Sequence, residues 1–346
     1  MKQPVRIAIV GMGIGRTNGR GFAHDPRCRI VALCDLDEDR MRDFAKELGH
    51  PVQFFTDYHA LARSAEVDAI FVGTPNQMHV PVALEAVKHG KHVMITKPLA
   101  DSEASARELV AAAESAGVVN MMSLSTRFND NVSYLGELRK RGDFGEIYFA
   151  RARSVRRSGI PNWNLGFIQA GGGAFRDMGV HYLDAAWWLM GMPEPTRVLG
   201  IAGARFGPKG RGYWDFAEPK PEYFSKYDSD DYGCGMIRFE NGAGLQVESH
   251  WASHQPEEYN IELFGEEAGA RLHPLIVYRT VNGAPQDGTV VLPRKFDVWD
   301  SMASHFLDCI IEGTPCAAPL RHGLMVQRMM EALLKSASSG SEVILK

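Results

Sequence analysis

The segment GGGAFRDMGVHYLDAAWWLMG, residues 171–191, holds an aspartate and a histidine four residues apart, Asp177 and His181. That spacing puts both on one face of a helix, and the pattern predicts a helix beginning near Asp177, after the glycine triplet. A carboxylate one turn from an imidazole can orient the ring and stabilise its protonated form, as general acid–base chemistry requires. The same pair also reads as a capping aspartate and a packed histidine. Upstream, Lys97-Pro98 follows the apolar run KHVMIT. Ligands of open parallel sheets bind outside the carboxyl ends of strands, so Lys97 is placed where a reactive group is useful. A lone lysine is otherwise a solvated surface charge.

A third group opens the chain. VRIAIV, residues 5–10, reads as a short buried strand, and GMGIGR follows it directly. Gly11 permits a tight turn and Gly13 lets the backbone approach a pyrophosphate, while a helix N-terminus supplies amide groups for the phosphates. A second apolar run, RIVALC, ends at Asp35, 24 residues after Gly11, where an acid grips ribose hydroxyls. The usual third glycine, three places after Gly13, is absent: Arg16 stands there and Gly15 comes one place early. A plain strand-to-helix turn is the alternative reading.

Residues 1–123 alternate strands (5–10, 29–34, 52–55, 68–72, 92–96, 118–123) with helices (37–48, 58–63, 78–89, 103–116). That alternation predicts an α/β Rossmann domain with a doubly wound parallel sheet. From 124 to 346 the pattern changes to a helix at 130–141 and strands at 146–157, 197–206, 232–240, 243–251, 258–264, 270–273 and 289–292. Helices at 300–312 and 322–338 and a short EVIL strand close it. The expectation is an α+β domain with a large, mostly antiparallel, open-faced sheet that binds substrate and makes oligomers. Asn241-Gly242 predicts a tight hairpin, since both residues tolerate positive φ. Residues 207–230 read as a long loop, functional or mobile.

Taken in order, VGMGIG, LCDLD, GTPNQMH, GKHVMITKPLA, Arg127-Phe128, GDFGEI, GGGAFRDMGVHYLD, VESHW and HGLMVQRMMEALLKSASSG resemble the Gfo/Idh/MocA family of NAD(P)-dependent oxidoreductases, named for glucose–fructose oxidoreductase and inositol dehydrogenase. The resemblance spans nearly the whole chain. It implies that Lys97 acts in catalysis and that the family's Asp and His fall on Asp177 and His181. The family's Glu-Lys-Pro signature is Thr96-Lys97-Pro98 here, which puts the role of the missing carboxylate in doubt. The expected cofactor contacts are Gly11, Gly13, Ile14, Gly15 and Asp35, then Thr74, Pro75, Asn76 and His79 past the fourth strand, and Lys97. Asn76 and His79 also read as a turn residue and a helix-start residue. The resemblance also implies dimers or tetramers formed through the open sheet face.

The implied reaction is hydride transfer between nicotinamide and a secondary alcohol or hemiacetal carbon of a sugar, sugar derivative or polyol. His181 is the expected base, Asp177 its orienter or a ligand for a neighbouring hydroxyl, and Lys97 the partner of the reacting oxygen. Lys97 can share the base role. NAD is expected over NADP, because Asp35 repels a 2′-phosphate, although Arg40 on the next helix softens that preference. Arg127, Arg156, Asn162 and Trp163 are the expected substrate contacts, with Asp177 and His181. The basic run RARSVRR reads as a receptor for an acidic sugar or as a strand with exposed arginines on one face. Two rivals stand: a glycoside-cleaving enzyme that oxidises transiently with retained NAD, and a non-catalytic cofactor-binding regulator. The first needs the same Lys, Asp and His.

Composition fits a soluble enzyme. The chain has 346 residues and a formal charge of −4, with no basic block, which argues against a nucleic-acid partner. No signal peptide or apolar span of membrane length is expected. Five cysteines without a CxxC pair suit reduced thiols in a cytoplasm. No metal site is expected, and His250 and His254 read as flanking a strand end.

Overall fold

Runs of apolar and β-branched residues form the strands of the first sheet. They are β1 (Val5–Val10), β2 (Cys28–Cys34), β3 (Gln53–Phe55), β4 (Ala69–Val72), β5 (His92–Ile95) and β6 (Asn120–Met122). All pair in parallel, in the order β3-β2-β1-β4-β5-β6. Parallel strands need crossover connections, and those that cover this sheet include α1 (Ile14–His24), α2 (Glu38–Leu48), α3 (Tyr58–Arg63), α4 (His79–Lys88) and α5 (Glu103–Ser115). Strand order reverses between β1 and β4, which opens a crevice at their carboxyl ends. Asp37, Asp57 and Ser102 cap α2, α3 and α5 with their side chains, whereas α1 starts at Gly13 with no side-chain cap.

The computed structural model describes residues 3–169, 171–215, 218–293 and 296–345. Contacts divide the chain into two compact units: Met1–Phe128 with Phe296–Gln327, and Asn129–Lys295 with Arg328–Lys346. The change of sequence pattern at 123/124 does not register the return of Phe296–Gln327 to the first unit. Among the described residues, no helix is long and apolar enough to cross a membrane.

The second unit is built on α6 (Asp130–Lys140), β7 (Ile147–Val155), α7 (Val180–Leu189), β8 (Pro195–Gly203), α8 (Pro221–Ser225), β9 (Tyr232–Phe239), β10 (Gly244–His250), β11 (Glu258–Gly265), β12 (Ala268–Arg271), β13 (Ile276–Val281) and β14 (Ala284–Thr289). Further on come α9 (Val298–Glu312), α10 (Leu320–Ser339) and β15 (Val343–Ile344). Nine strands form one sheet, β14-β13-β12-β11-β7-β10-β9-β8-β15, in which only β7 and β10 run parallel. On one face a Cβ on Gly200 or Gly235 would come within 2.7 or 2.6 Å of the Leu333 side chain, so that side chain packs directly onto bare strand backbone. The other face exposes Leu199 (55%), Ile201 (62%) and Met236 (42%).

Three expectations change. Among the described residues no strand forms at 289–292 beyond Thr289; instead β13 and β14 make a hairpin just before it, turning at Asn282 (φ 51°) and Gly283 (φ 76°). Its Asn-Gly pair is the two-residue turn signature, and the strand after it, β14, is fully exposed and too polar to show alternation. At Asn241-Gly242 only the glycine takes positive φ (87°). The described residues of 207–230 are folded into a packed cluster rather than forming an open loop. Tyr213 and Tyr223 are buried in one apolar cluster with Ile160, Met178 and Trp251. Asp231 anchors the approach to that segment by accepting bonds from the Arg205, Phe206 and Gly207 amides.

Helix α9 belongs to the first unit because α1 presents it a glycine. A Cβ on Gly21 would lie 2.5 Å from the Trp299 carbonyl oxygen. Phe22 and Phe306 meet edge-on beside it, with ring centroids 6.1 Å apart, and Arg27 bonds to Ser304 and Asp308. Gly21→Ala should therefore overpack this contact and lower stability by about 1–3 kcal/mol. Denaturant unfolding of the full chain measures the change, and a variant as stable as the parent would contradict the packing described.

Candidate active site

In the first unit the glycine loop is shaped by close backbone approach. Gly11 takes φ +88°, and a Cβ there would overlap the Gly73 carbonyl at the end of β4. A Cβ on Gly15 would meet Ile9 Cγ2 at 3.0 Å, so Gly15 does the helix-against-strand packing of the third glycine. Gly13 is different: a Cβ there would meet nothing within 4 Å. The protein's own packing does not require glycine at Gly13, and an approaching ligand would. Ile14 is 40% exposed at the start of α1. Asp35 follows β2, with its carboxylate accepting from the Met12 amide at 2.5 Å and the Asp37 amide at 3.0 Å.

Past β4 the chain runs through Thr74, Pro75 and a short 3-10 turn, Asn76–Met78. The Thr74 hydroxyl is buried without a hydrogen-bond partner. A buried orphan hydroxyl is costly unless a ligand completes it. Uncapped α1 amides, open space at Gly13, the Asp35 carboxylate and the Thr74 hydroxyl together fit a dinucleotide along this edge. His79 plays another part. Its ring is fully buried, with Nδ1 2.7 Å from the Pro98 carbonyl and Nε2 2.8 Å from that of Thr74. Burial lowers its pKa against both carbonyl contacts. His79 thus ties the loop after β4 to the loop carrying half-buried Lys97, and presents no free edge to a cofactor. Thr96, beside Lys97, is buried and its amide continues the β4–β5 ladder to the Val72 carbonyl.

In the second unit, Asp177 does not begin an α-helix. It lies in a π-helical segment, Phe175–Gly179, that runs into α7, with His181 at the second α7 position. One wide turn keeps the two side chains near one face, and such turns occur often at functional sites. The glycine triplet lets this segment start where it does. Gly173 takes φ +110°, and a Cβ on it would overlap the Asp230 carboxylate. That carboxylate accepts from the Phe175 amide at 2.9 Å. Trp251 is fully buried and donates its indole N–H to Asp177 Oδ2 at 3.1 Å. Asp177 and His181 are both half-buried.

Two family models match the chain. "Oxidoreductase family, NAD-binding Rossmann fold" covers residues 5–124, and the "GFO/IDH/MocA C-terminal domain" covers residues 132–271. The chain belongs to the Gfo/Idh/MocA family. It is an NAD(P)-dependent oxidoreductase with the family's two-part architecture, as its sequence motifs led us to expect. Among its relatives, D-glucoside 3-dehydrogenase of Escherichia coli is 29% identical over 99% of this chain and 98% of its own. Myo-inositol 2-dehydrogenase of Thermotoga maritima is also 29% identical, over 76% of this chain and 73% of its own. A levoglucosan dehydrogenase in complex with NADH and levoglucosan has the same fold, with TM-score 0.85 at 22% identity over 99% of both chains.

Within this Gfo/Idh/MocA chain the expected substrate contacts separate. Arg127 is buried in the first unit, where its guanidinium reaches the Ala317 carbonyl at 2.7 Å and His322 Nδ1 at 3.0 Å. Burial, then the Arg127 charge, pushes His322 down to about 3. Arg156 donates to the Tyr259 hydroxyl at 2.8 Å and lies over the Trp214 ring. Asn162 donates to the Trp214 carbonyl, and Trp163, 53% exposed, packs edge-on against Phe167. Two other arginines of the basic run are neutralised across strands: Arg151 pairs with Glu262, and Arg153 with Glu248 and Glu258. Those pairs support the reading of arginines on one strand face, not an acidic-sugar receptor. Sequence reasoning missed Trp251 and Asp230: VESHW was read only as a strand within the family resemblance, and Asp230 only as the end of the 207–230 loop.

Burial lifts the Asp230 carboxyl to about 6, against the Phe175 amide bond and Arg176, which lower it. A folded value above the unfolded 3.8 favours the folded state below about pH 4, and that contribution is lost as pH rises through about 6. Asp230→Asn keeps an acceptor for Phe175 and has no charge to bury. Relative to the parent it should gain about 2–3 kcal/mol between about pH 4 and about pH 7.5. Urea unfolding at the two pH values measures this, and a pH-independent difference would refute it.

Proposed function

We propose that the protein oxidises a secondary alcohol or hemiacetal carbon of a sugar, sugar derivative or polyol with NAD. The observation that carries the reading is the Asp177–His181 pair, held by Trp251, in a chain whose full-length relative is a glucoside 3-dehydrogenase. Bound NAD supplies the hydride acceptor. Gly13 and the α1 amides would hold its phosphates, Asp35 its ribose hydroxyls, and the Thr74 hydroxyl an adjoining polar group. The protein is thus assigned a cofactor role for residues 1–123 and a substrate role for residues 124–346.

His181 takes the proton of the reacting hydroxyl. Asp177, fixed by the Trp251 indole, orients that ring or accepts from a neighbouring substrate hydroxyl. Lys97 donates to the reacting oxygen and stabilises the negative charge that develops there. It can also share the proton with His181. Arg156, Asn162 and Trp163 are proposed to line the sugar, with Trp163 offering an aromatic face. The exposed apolar residues Leu199, Ile201 and Met236 support a homodimer or homotetramer formed through the open sheet face. All five cysteines are free, which supports a cytoplasmic setting.

A panel of sugars, glycosides and polyols with NAD and NADP, followed at the nicotinamide absorbance, tests the reading. Net NADH formed from a free sugar or polyol supports it. Glycoside cleavage without net NADH would replace it with the transient-oxidation enzyme.

Lys97→Ala should retain NADH binding, measured by fluorescence, while turnover falls about 10²-fold or more. Near-normal turnover would leave Lys97 as a surface charge. His181→Ala assayed alongside should lose a similar factor, and if it does not, the proton passes to Lys97 alone.

Asp35 should make NADH bind more tightly than NADPH, because its carboxylate repels a 2′-phosphate. Titration of both cofactors by fluorescence decides this, with tighter NADPH binding as the contrary result.

A further inference from the structure

The C-terminal part of the first unit brings two thiols and an imidazole together. His305 and Cys309 stand one turn apart on α9. Gly313, at φ 72°, ends that helix and turns the chain back, so that Cys316 returns over the same turn. The ligating atoms of His305, Cys309 and Cys316 all lie within 4.8 Å of one another. The returning loop is tied down at each residue after Cys316. The Ala317 amide donates to His305 Nε2 at 2.8 Å, and its carbonyl accepts from Arg127 at 2.7 Å. The Ala318 carbonyl accepts from the Met122 amide of β6 at 2.8 Å.

These thiols are not alike. Cys309 is buried, and its Sγ lies 3.5 Å from His305 Nε2. Cys316 is only half-buried. The Cys309 thiol hydrogen-bonds Cys316 and draws it toward the thiolate, helped by His305 and the Ala318 backbone. The other four cysteines shift the opposite way, three of them chiefly by burial: Cys28 and Cys34 to about 12 and Cys234 to about 11. Because Ala317 N–H already occupies His305 Nε2, a metal would have to break that bond to use the nitrogen. A partly exposed, acidic thiol beside a second, sheltered one is instead the arrangement of a redox pair.

We propose that Cys309 and Cys316 form a reversible dithiol–disulfide couple oxidised by small hydroperoxides, with Cys316 the attacking thiol and Cys309 the resolving one. The Cys316 thiolate attacks the terminal peroxide oxygen and the O–O bond breaks. Cys316 becomes a sulfenic acid, and the departing alkoxide or hydroxide takes up a proton. Cys309 gives up its proton and attacks the Cys316 sulfur. The S–S bond forms as the S–O bond breaks, and hydroxide leaves as water with that proton. Two thiols are oxidised to one disulfide, and one peroxide is reduced to an alcohol, or water, plus water.

The full-length protein, freed of reductant, is treated with hydrogen peroxide. Thiols are counted after unfolding, and the protein is cleaved after Arg and Lys and then at Glu312, since no Lys or Arg separates the two cysteines. Expected are the loss of two of the five thiols, a 309–316 cross-link, and full recovery with dithiothreitol. Cys316→Ser should slow thiol loss by at least about tenfold, and Cys309→Ser should accumulate a dimedone-trappable sulfenic acid at Cys316. Retention of all five thiols by the parent, or a cross-link elsewhere, would overturn the proposal. So would one equivalent of zinc that survives purification and shields both thiols. Because the cross-link is read on the parent protein, a variant that fails to fold does not remove the test.

Discussion

At the carboxyl ends of β1 and β4 the backbone of Gly11 comes so near the Gly73 carbonyl that no Cβ fits between them. That approach is the constraint on which the first unit's site depends. It sets where α1 can begin and brings Gly15 down onto Ile9. It also places the Thr74 loop beside the glycine loop rather than away from it. His79 then bridges from that loop to the Pro98 carbonyl, so the position of Lys97 is linked through one buried ring to the position of the glycine loop. Side-chain chemistry here is sparse because most of the binding surface is backbone, held open by missing Cβ atoms.

The second unit reaches its chemistry by the opposite means. Bulk, not its absence, holds Asp177. Trp251 lies among Tyr213, Tyr223, Ile160 and Met178, and it can point its N–H at Asp177 only because that aromatic group fixes the ring. Asp230 starts the π-helical segment and Asp231 pins residues 205–207, so one acidic pair organises both sides of the cluster. The glycine triplet and the acidic pair are therefore one device, although they are more than fifty residues apart in sequence.

Much of the first unit was legible in the sequence because its signals are local. Apolar strands, GMGIG and Asp35 fall within the first 35 residues, and each has a short-range physical meaning. The shortened loop was legible too, and the structure explains it by giving Gly15 the packing role. What escaped depends on distant partners. Nothing local in STRF or RARSVRR says that Arg127 is buried against Ala317, or that Arg153 is spent on Glu248 and Glu258. The π turn escaped because i,i+4 spacing looks alike in either helix. Residues 207–230 read as a long loop because glycine and proline interrupt them, while the aromatic residues that pack its described parts, such as Tyr213 and Tyr223, are scattered along that stretch. Strand β14 is polar and fully exposed, so it gave no alternation to read, only the Asn-Gly turn before it.

The contact between α1 and α9 bears on synthesis. A ribosome delivers α1 long before α9, since almost three hundred residues separate Gly21 from Phe306. Until α9 emerges, the Gly21–Phe22 face of α1 has nothing to cover it, and the nucleotide-binding half waits on the chain's last fifth to complete its core. Vectorial folding, which lets many N-terminal domains finish early, gives this one no such lead. The nascent chain must carry an exposed apolar seam while the second unit is being made, which marks that seam as a surface for chaperones to shield.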